Sequence, residues 1–141
     1  MLQDDHLLKL RAVFEDESTI SLVTDCYFGK TLYSFMIDNE GILNYRDSLA
    51  VVQRILKGLQ RLESLNIVHR DIKMQNIVFK NTDGTPDIAL IDFGFAINWK
   101  ELKEPPPIFG TIGYYAPEIL RMESFDCRAD LYSLGLILFN M

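Results

Sequence analysis

The sequence predicts an α+β fold, mainly helical, with short β-hairpins set into it. Three observations carry that expectation. Between Tyr45 and Leu65 the apolar residues Leu49, Val52, Ile55, Leu56, Leu59 and Leu62 recur every three or four positions, the spacing of one helical face. Two pairs of β-prone runs, Leu7 to Phe14 with Thr19 to Thr24 and Ile77-Val78-Phe79 with Ile88-Ala89-Leu90-Ile91, each enclose a turn-forming stretch. Ala129 to Met141 is apolar nearly all round, as befits a helix at the centre of a domain.

Taken in order, the first pair of runs is joined by Glu15-Asp16-Glu17-Ser18, whose charge suits a turn between antiparallel strands. Phe28-Gly29-Lys30 ends that unit ahead of a short helical stretch from Leu32 to Ile37. Asn44 is placed to cap the long helix, with Asp47 three residues on. Asp83-Gly84 turns the second hairpin, which brings Asn76 at its entrance and Asp92 at its exit towards one place. Lys100 to Pro107 is charged and ends in three prolines, which hold the backbone extended in a surface loop. In the last helix Leu131, Leu134 and Leu138 share one face, with Ile137 and Phe139 on others.

A chain of 141 residues, 48% hydrophobic, can bury one core, and no internal repeat or interdomain linker interrupts it. The net charge of -6 argues against nucleic acid or an anionic membrane as partner, because phosphate binding needs clustered Lys and Arg. Cys26 and Cys127 fit no metal or redox spacing, which points to a reduced, cytoplasmic protein. Met1-Leu2-Gln3-Asp4-Asp5 lacks a basic and apolar leader, and no run approaches the roughly 18 apolar residues of a membrane span.

The chemistry lies in Val68-His69-Arg70-Asp71-Ile72-Lys73-Met74-Gln75-Asn76 and Ile91-Asp92-Phe93-Gly94. These place a general base and two metal-binding side chains at the spacings that phosphoryl transfer needs. Singly, Asp71, Asn76 and Asp92 read as ordinary turn residues. In register with Phe93-Gly94 and Ala116-Pro117-Glu118, they make the chain resemble the catalytic domain of eukaryotic-type protein kinases of the serine/threonine type, calcium-regulated kinases among the nearest.

That resemblance implies a protein-kinase-like fold. Residues 1–27 would be a two-strand remnant of the small lobe with the interlobe hinge; residues 28–141 would be a helical large lobe, incomplete at its C-terminus, whose β-hairpin carries the active site. By resemblance, Asp71 orients the substrate hydroxyl, Lys73 places positive charge on the moving phosphate, and Asn76 and Asp92 hold Mg²⁺. The backbone of Asp25 and Tyr27 reads the adenine of ATP, Thr24 guards the pocket behind it, and Val78 forms its floor. His69 is a packed structural residue stacked with Phe93 and Leu10, and Gly94 completes the Asp-Phe-Gly turn. Thr111 hydrogen-bonds near Asp71 and Lys73 in the substrate-docking loop, Asp130 anchors the catalytic loop, and Glu118 pairs with an Arg of a later helix. Thr31 and Gln75 stand where many members carry acidic residues, and Tyr132 where they carry Trp. The implied substrate is a protein with a Ser or Thr acceptor.

No Ser, Thr or Tyr lies between Asp92 and Gly110, so Arg70 lacks a phosphate to bind there; Glu101 or Glu104 is expected to supply the negative charge instead. The chain shows no Gly-x-Gly-x-x-Gly ahead of Leu7 and no strand Lys with its helical Glu, so these residues alone are expected to be inactive. Two functional classes stay open: an ATP-dependent serine/threonine kinase within a longer product, and a non-catalytic module that binds or competes with a partner kinase.

Overall fold

The computed structural model describes residues 4–40, 43–83, 85–104 and 106–141. The targeting reading of Met1 to Gln3, the turn glycine Gly84 and the first proline, Pro105, therefore lie outside the described residues.

Strands β1 (Leu10–Glu15) and β2 (Ile20–Thr24) form the predicted antiparallel hairpin, with Leu10 opposite Thr24 and an irregularity before Ala12. Its turn is built on Asp16, whose carboxylate accepts the backbone N–H groups of Ser18 and Thr19, both at 2.9 Å, and both hydroxyls. The Thr19 hydroxyl and the other donors hold that carboxyl at about 2.

Leu7 was expected in this hairpin, but it pairs elsewhere. It is fully buried and bridges in parallel to Leu90, with the Leu8 N–H donating to the Leu90 carbonyl at 2.8 Å. A β-prone residue carries no label for its partner strand, and here burial against the second hairpin wins.

Helix α1 (Leu32–Asp38) starts at Thr31, whose Oγ1 accepts the Ser34 N–H at 3.1 Å. Helix α2 (Tyr45–Ser64) starts at Asn44, whose Oδ1 accepts the Asp47 N–H at 3.0 Å, the cap anticipated from the sequence. Its buried stripe is Ser48, Val51, Ile55, Gly58, Leu59 and Leu62, whereas Leu49 is exposed. The expected face was thus turned slightly, because small residues lie on the inner side. A Cβ on Gly58 would stand 3.1 Å from Leu7 Cδ2 and 3.2 Å from Leu90 Cδ1, so close approach is what the glycine permits.

Strand β3 (Ile67–Val68) leads out of α2, and β4 (Ile77–Phe79) pairs antiparallel with β5 (Ile88–Leu90), all six residues of this second hairpin being buried. Asp83 Oδ1 accepts the Thr85 N–H at 2.9 Å in its turn. Strand β6 (Ile97–Asn98) returns to pair with β3. After α3 (Pro117–Leu120) comes α4 (Arg128–Phe139).

The apolar core joins α2, the β4–β5 hairpin, α1 and the inner side of α4. That inner side is Ala129, Asp130, Ser133, Leu134 and Ile137, while Leu131 and Leu138 are 45% and 47% exposed. The face expected from leucine spacing is therefore corrected. Two polar anchors on α4, described below, set its rotation.

Candidate active site

Strand β3 ends one residue before His69, and the backbone then turns sharply: Arg70 has φ 68° and Asp92 φ 66°. Left-handed backbone is costly for residues with a Cβ and persists where the surroundings enforce it. Asp130 supplies that enforcement for Arg70. Its Oδ2 accepts the His69 N–H at 2.7 Å and its Oδ1 the Arg70 N–H at 3.0 Å. Burial pushes the Asp130 carboxyl up to about 6 against the pull of those two donors. One helical turn on, the Ser133 hydroxyl donates to the Tyr114 carbonyl at 2.7 Å. Sequence reasoning missed Ser133; a second polar residue one turn after Asp130 was the available signal.

His69 is fully buried, its ring centroid 4.9 Å from that of Phe93. Its Nε2 lies 3.2 Å from the Ile91 carbonyl, while its Nδ1 accepts the Asp71 N–H at 3.3 Å. Those two partners require the neutral tautomer protonated at Nε2. Burial lowers the imidazole pKa in the same sense.

Three side chains converge on the Asp71 carboxylate, itself almost fully buried. The Thr111 hydroxyl donates to Oδ1 at 2.6 Å, Asn76 Nδ2 donates to Oδ2 at 2.9 Å, and Lys73 Nζ stands 2.8 Å from Oδ2. Lys73 also donates to Thr111 Oγ1 at 2.8 Å, closing a triangle. Burial opposes ionisation of Asp71, but the bonds from Lys73, Thr111 and Asn76 outweigh it and hold the carboxyl below its ordinary value. A carboxylate has about four acceptor directions. Among the described residues three are taken, which leaves one direction open on Oδ1.

Asn76 and Asp92 flank the open end of the β4–β5 hairpin, tied together by the Ile91 N–H donating to the Asn76 carbonyl at 2.9 Å. The Asn76 amide gives both its donor bonds to Asp71, which leaves Oδ1 free as an acceptor. Among the described residues Asp92 accepts only the Gly94 N–H, at 3.3 Å on Oδ1. Among the described residues no cluster of three or more His, Cys, Asp or Glu could hold a metal. Two hard oxygen ligands, one on the buried Asn76 and one on the exposed Asp92, do fit Mg²⁺, which keeps several waters and phosphate oxygens around it.

Thr24 and Leu10 come together with Leu8, Leu22, Asp92 and Phe93 around a cavity of about 480 Å³, so the first hairpin and the Asp-Phe-Gly turn share one cleft. Asp25, Tyr27 and Val78 do not line that cavity. The Asp25 N–H donates to the Lys9 carbonyl at 3.0 Å and its carboxylate pairs with Arg11. Tyr27 is half-buried, and Val78 is buried and bridges to Thr31. Glu118 sits in the first turn of α3, half-buried, and among the described residues it makes no ion pair.

The expectation for Arg70 is overturned. Its Nε donates to the Phe95 carbonyl at 2.6 Å and Nη1 to the Pro107 carbonyl at 3.4 Å, while the guanidinium carbon lies 5.4 Å from the centre of the Phe109 ring. Glu101 instead accepts from Asn98 Nδ2 at 2.7 Å, and neither Glu101 nor Glu104 pairs with Arg70. Carbonyls and a π-face can satisfy a guanidinium without a carboxylate.

Comparison with known proteins places the chain in a family. The model of the protein kinase domain matches residues 1–141. The chain is 34% identical over 138 residues to a probable serine/threonine-protein kinase 2 of Plasmodium falciparum, covering 96% of this chain and 26% of that protein. It is 33% identical over 141 residues to calcium-dependent protein kinase 4 of Plasmodium falciparum, covering 99% of this chain and 26% of that one. It is 31% identical over 136 residues to serine/threonine-protein kinase ATG1c of Arabidopsis thaliana, covering 96% of this chain and 18% of its relative. The chain thus spans about a quarter or less of these relatives. Among the described residues no helix is long and apolar enough to cross a membrane.

Proposed function

The chain belongs to the protein kinase family, and on that premise we propose that it carries the catalytic loop and metal-binding hairpin of a serine/threonine kinase that transfers the γ-phosphate of ATP to a protein hydroxyl. The observation that supports this reading best is the convergence of Thr111, Lys73 and Asn76 on Asp71, beside a hairpin end that offers Asn76 and Asp92 as oxygen ligands.

Asp71 aligns the acceptor hydroxyl through its one open lone-pair direction and takes up its proton as the oxygen attacks. Its depressed pKa keeps it ionised at neutral pH and makes it an orienting group with modest basicity. Lys73, already on Thr111 and Asp71, lays its charge beside the transferred phosphoryl group. Asn76 Oδ1 and Asp92 would hold Mg²⁺, which when bound neutralises charge on the phosphate oxygens. The backbone of Asp25 and Tyr27 reads the adenine, with Val78 beneath it and Thr24 at the mouth of the cavity behind. Thr31 spends its hydroxyl on the α1 cap and so leaves ribose recognition to other groups. A non-catalytic role gains no support from the relatives, each of which is named as a kinase.

The test is phosphate transfer to Ser- and Thr-containing peptides by the full-length protein, with calorimetry of Mg-ATP binding alongside. Asp71→Asn should lower turnover by about 10² to 10⁴ while nucleotide still binds. Asp92→Asn should abolish the magnesium-dependent part of that binding. Transfer unaffected by Asp71→Asn would reject the assignment.

A further inference from the structure

We propose that Phe109, stacked on Phe95 beneath the Arg70 guanidinium, is a positioning residue: the three side chains form a clasp that closes the segment between residues 95 and 109 and so holds Thr111 against Asp71 and Lys73. The role assigned to Thr111 rests on the kinase reading above.

The clasp joins the two ends of one segment. At the entrance, Arg70 Nε holds the Phe95 carbonyl at 2.6 Å; at the exit, Nη1 reaches the Pro107 carbonyl at 3.4 Å and the guanidinium faces the Phe109 ring. The two phenyl rings lie 5.5 Å apart and only 16° from parallel. Neither ring belongs to a core cluster, and both stay partly exposed, at 36% and 44%. Apolar rings outside the core stack on each other and meet the guanidinium, which points to a local job.

That job follows from what comes next in the chain. Gly110 has φ 121°, and a Cβ there would collide with the Arg70 carbonyl, so the segment leaves the clasp by pressing directly on the residue before Asp71. Thr111 is then one residue from Gly110, with its hydroxyl between Asp71 and Lys73. Among the described residues all partners of the Arg70 guanidinium are uncharged, and residues 93 to 110 contain no hydroxyl that could accept a phosphate. The segment is therefore held by permanent contacts.

The full-length protein with Phe109→Leu, which keeps apolar bulk and loses the ring, is compared with Phe109→Tyr, which keeps the ring. Phosphate transfer is followed at varied Mg-ATP, and trypsin cleavage after Lys100 and Lys103 is followed by mass spectrometry. Phe109→Leu should lower kcat about tenfold with KM for ATP unchanged, in line with a displacement well under 1 Å at the chemistry. It should also speed both cleavages about tenfold as the segment opens. Phe109→Tyr should restore both. Unchanged cleavage in Phe109→Leu would refute the clasp, and faster cleavage with unchanged kcat would refute its positioning role. A wild-type protein with no transferase activity would reject the kinase reading, while the cleavage rates would still decide whether the clasp exists.

Discussion

Asp130 accepts the backbone N–H of His69 at 2.7 Å across 61 residues of chain, and so ties the centre of α4 to the loop that carries Asp71. The neighbouring bond from Arg70 uses its other oxygen. Asp130→Asn keeps the shape but offers one acceptor where two are needed, and turns an amide donor towards a backbone donor. The expected loss is about 2 to 3 kcal/mol, the scale of buried hydrogen bonds to a charged group. Urea denaturation of wild type and variant measures it, and a loss below about 0.5 kcal/mol would contradict the anchoring role.

Thr111→Val removes the hydroxyl that donates to Asp71 and accepts from Lys73. Turnover should fall about tenfold or more, the effect of roughly 1.4 kcal/mol at a hydrogen bond to a charged group. Thr111→Ser should recover most of it. The acid limb of the activity profile should also move to higher pH in the valine variant. Thr111 is one of the donors holding Asp71 below its ordinary value, so its loss lets the carboxylate protonate earlier as pH falls.

His69 is buried neutral, with its pKa pushed below the ordinary 6.5 by burial. The unfolded chain then binds more protons than the folded one below pH 6.5, so this residue's contribution to stability is complete above that value and declines as pH drops. Asp130, raised to about 6, acts in the opposite sense between its ordinary 3.8 and that value. Comparing wild type with His69→Phe cancels the Asp130 contribution. The wild type should lose stability relative to His69→Phe as pH falls from 7 towards 5, and a pH-independent difference in chemical denaturation would contradict the assignment.

Two glycines should respond to alanine with opposite signs. A Cβ on Gly29 would collide with the carbonyls of Phe79 and Asn81, so Gly29→Ala should destabilise by about 1 to 3 kcal/mol. Gly135 lies exposed within α4 with nothing within 4 Å of its added Cβ, and there alanine should stabilise by about 1 kcal/mol. Thermal melts of the two variants give the comparison directly.

Local chemistry was legible. The Asn44 cap, the existence of α2 and the Asp16 turn depend on neighbours a few residues apart and appear as read, although the buried face of α2 is turned from the expected one. The meeting of Asp71 with Asn76 and with Thr111 also appears, as the resemblance of these motifs implied. The rotation of α4 was not legible: leucine spacing suggested one face, but Asp130 and Ser133 had to reach backbone groups on distant segments and turned the helix to suit. Thr31 stands where the resemblance implies an acidic residue, and its hydroxyl serves instead as the cap of α1. The partners of Arg70 were hidden for a different reason. Backbone carbonyls exist at every residue and leave no trace in a sequence, and Phe95 and Phe109 look like any other apolar side chains.

The splice between Leu8 and Leu90 reaches further than its one bond suggests. Leu90 lies two residues ahead of Asp92, and Leu8 two residues ahead of Leu10 where β1 begins, so one backbone bond joins the first hairpin to the segment that carries Asp92. A displacement of that hairpin would therefore be felt within two residues of Asp92.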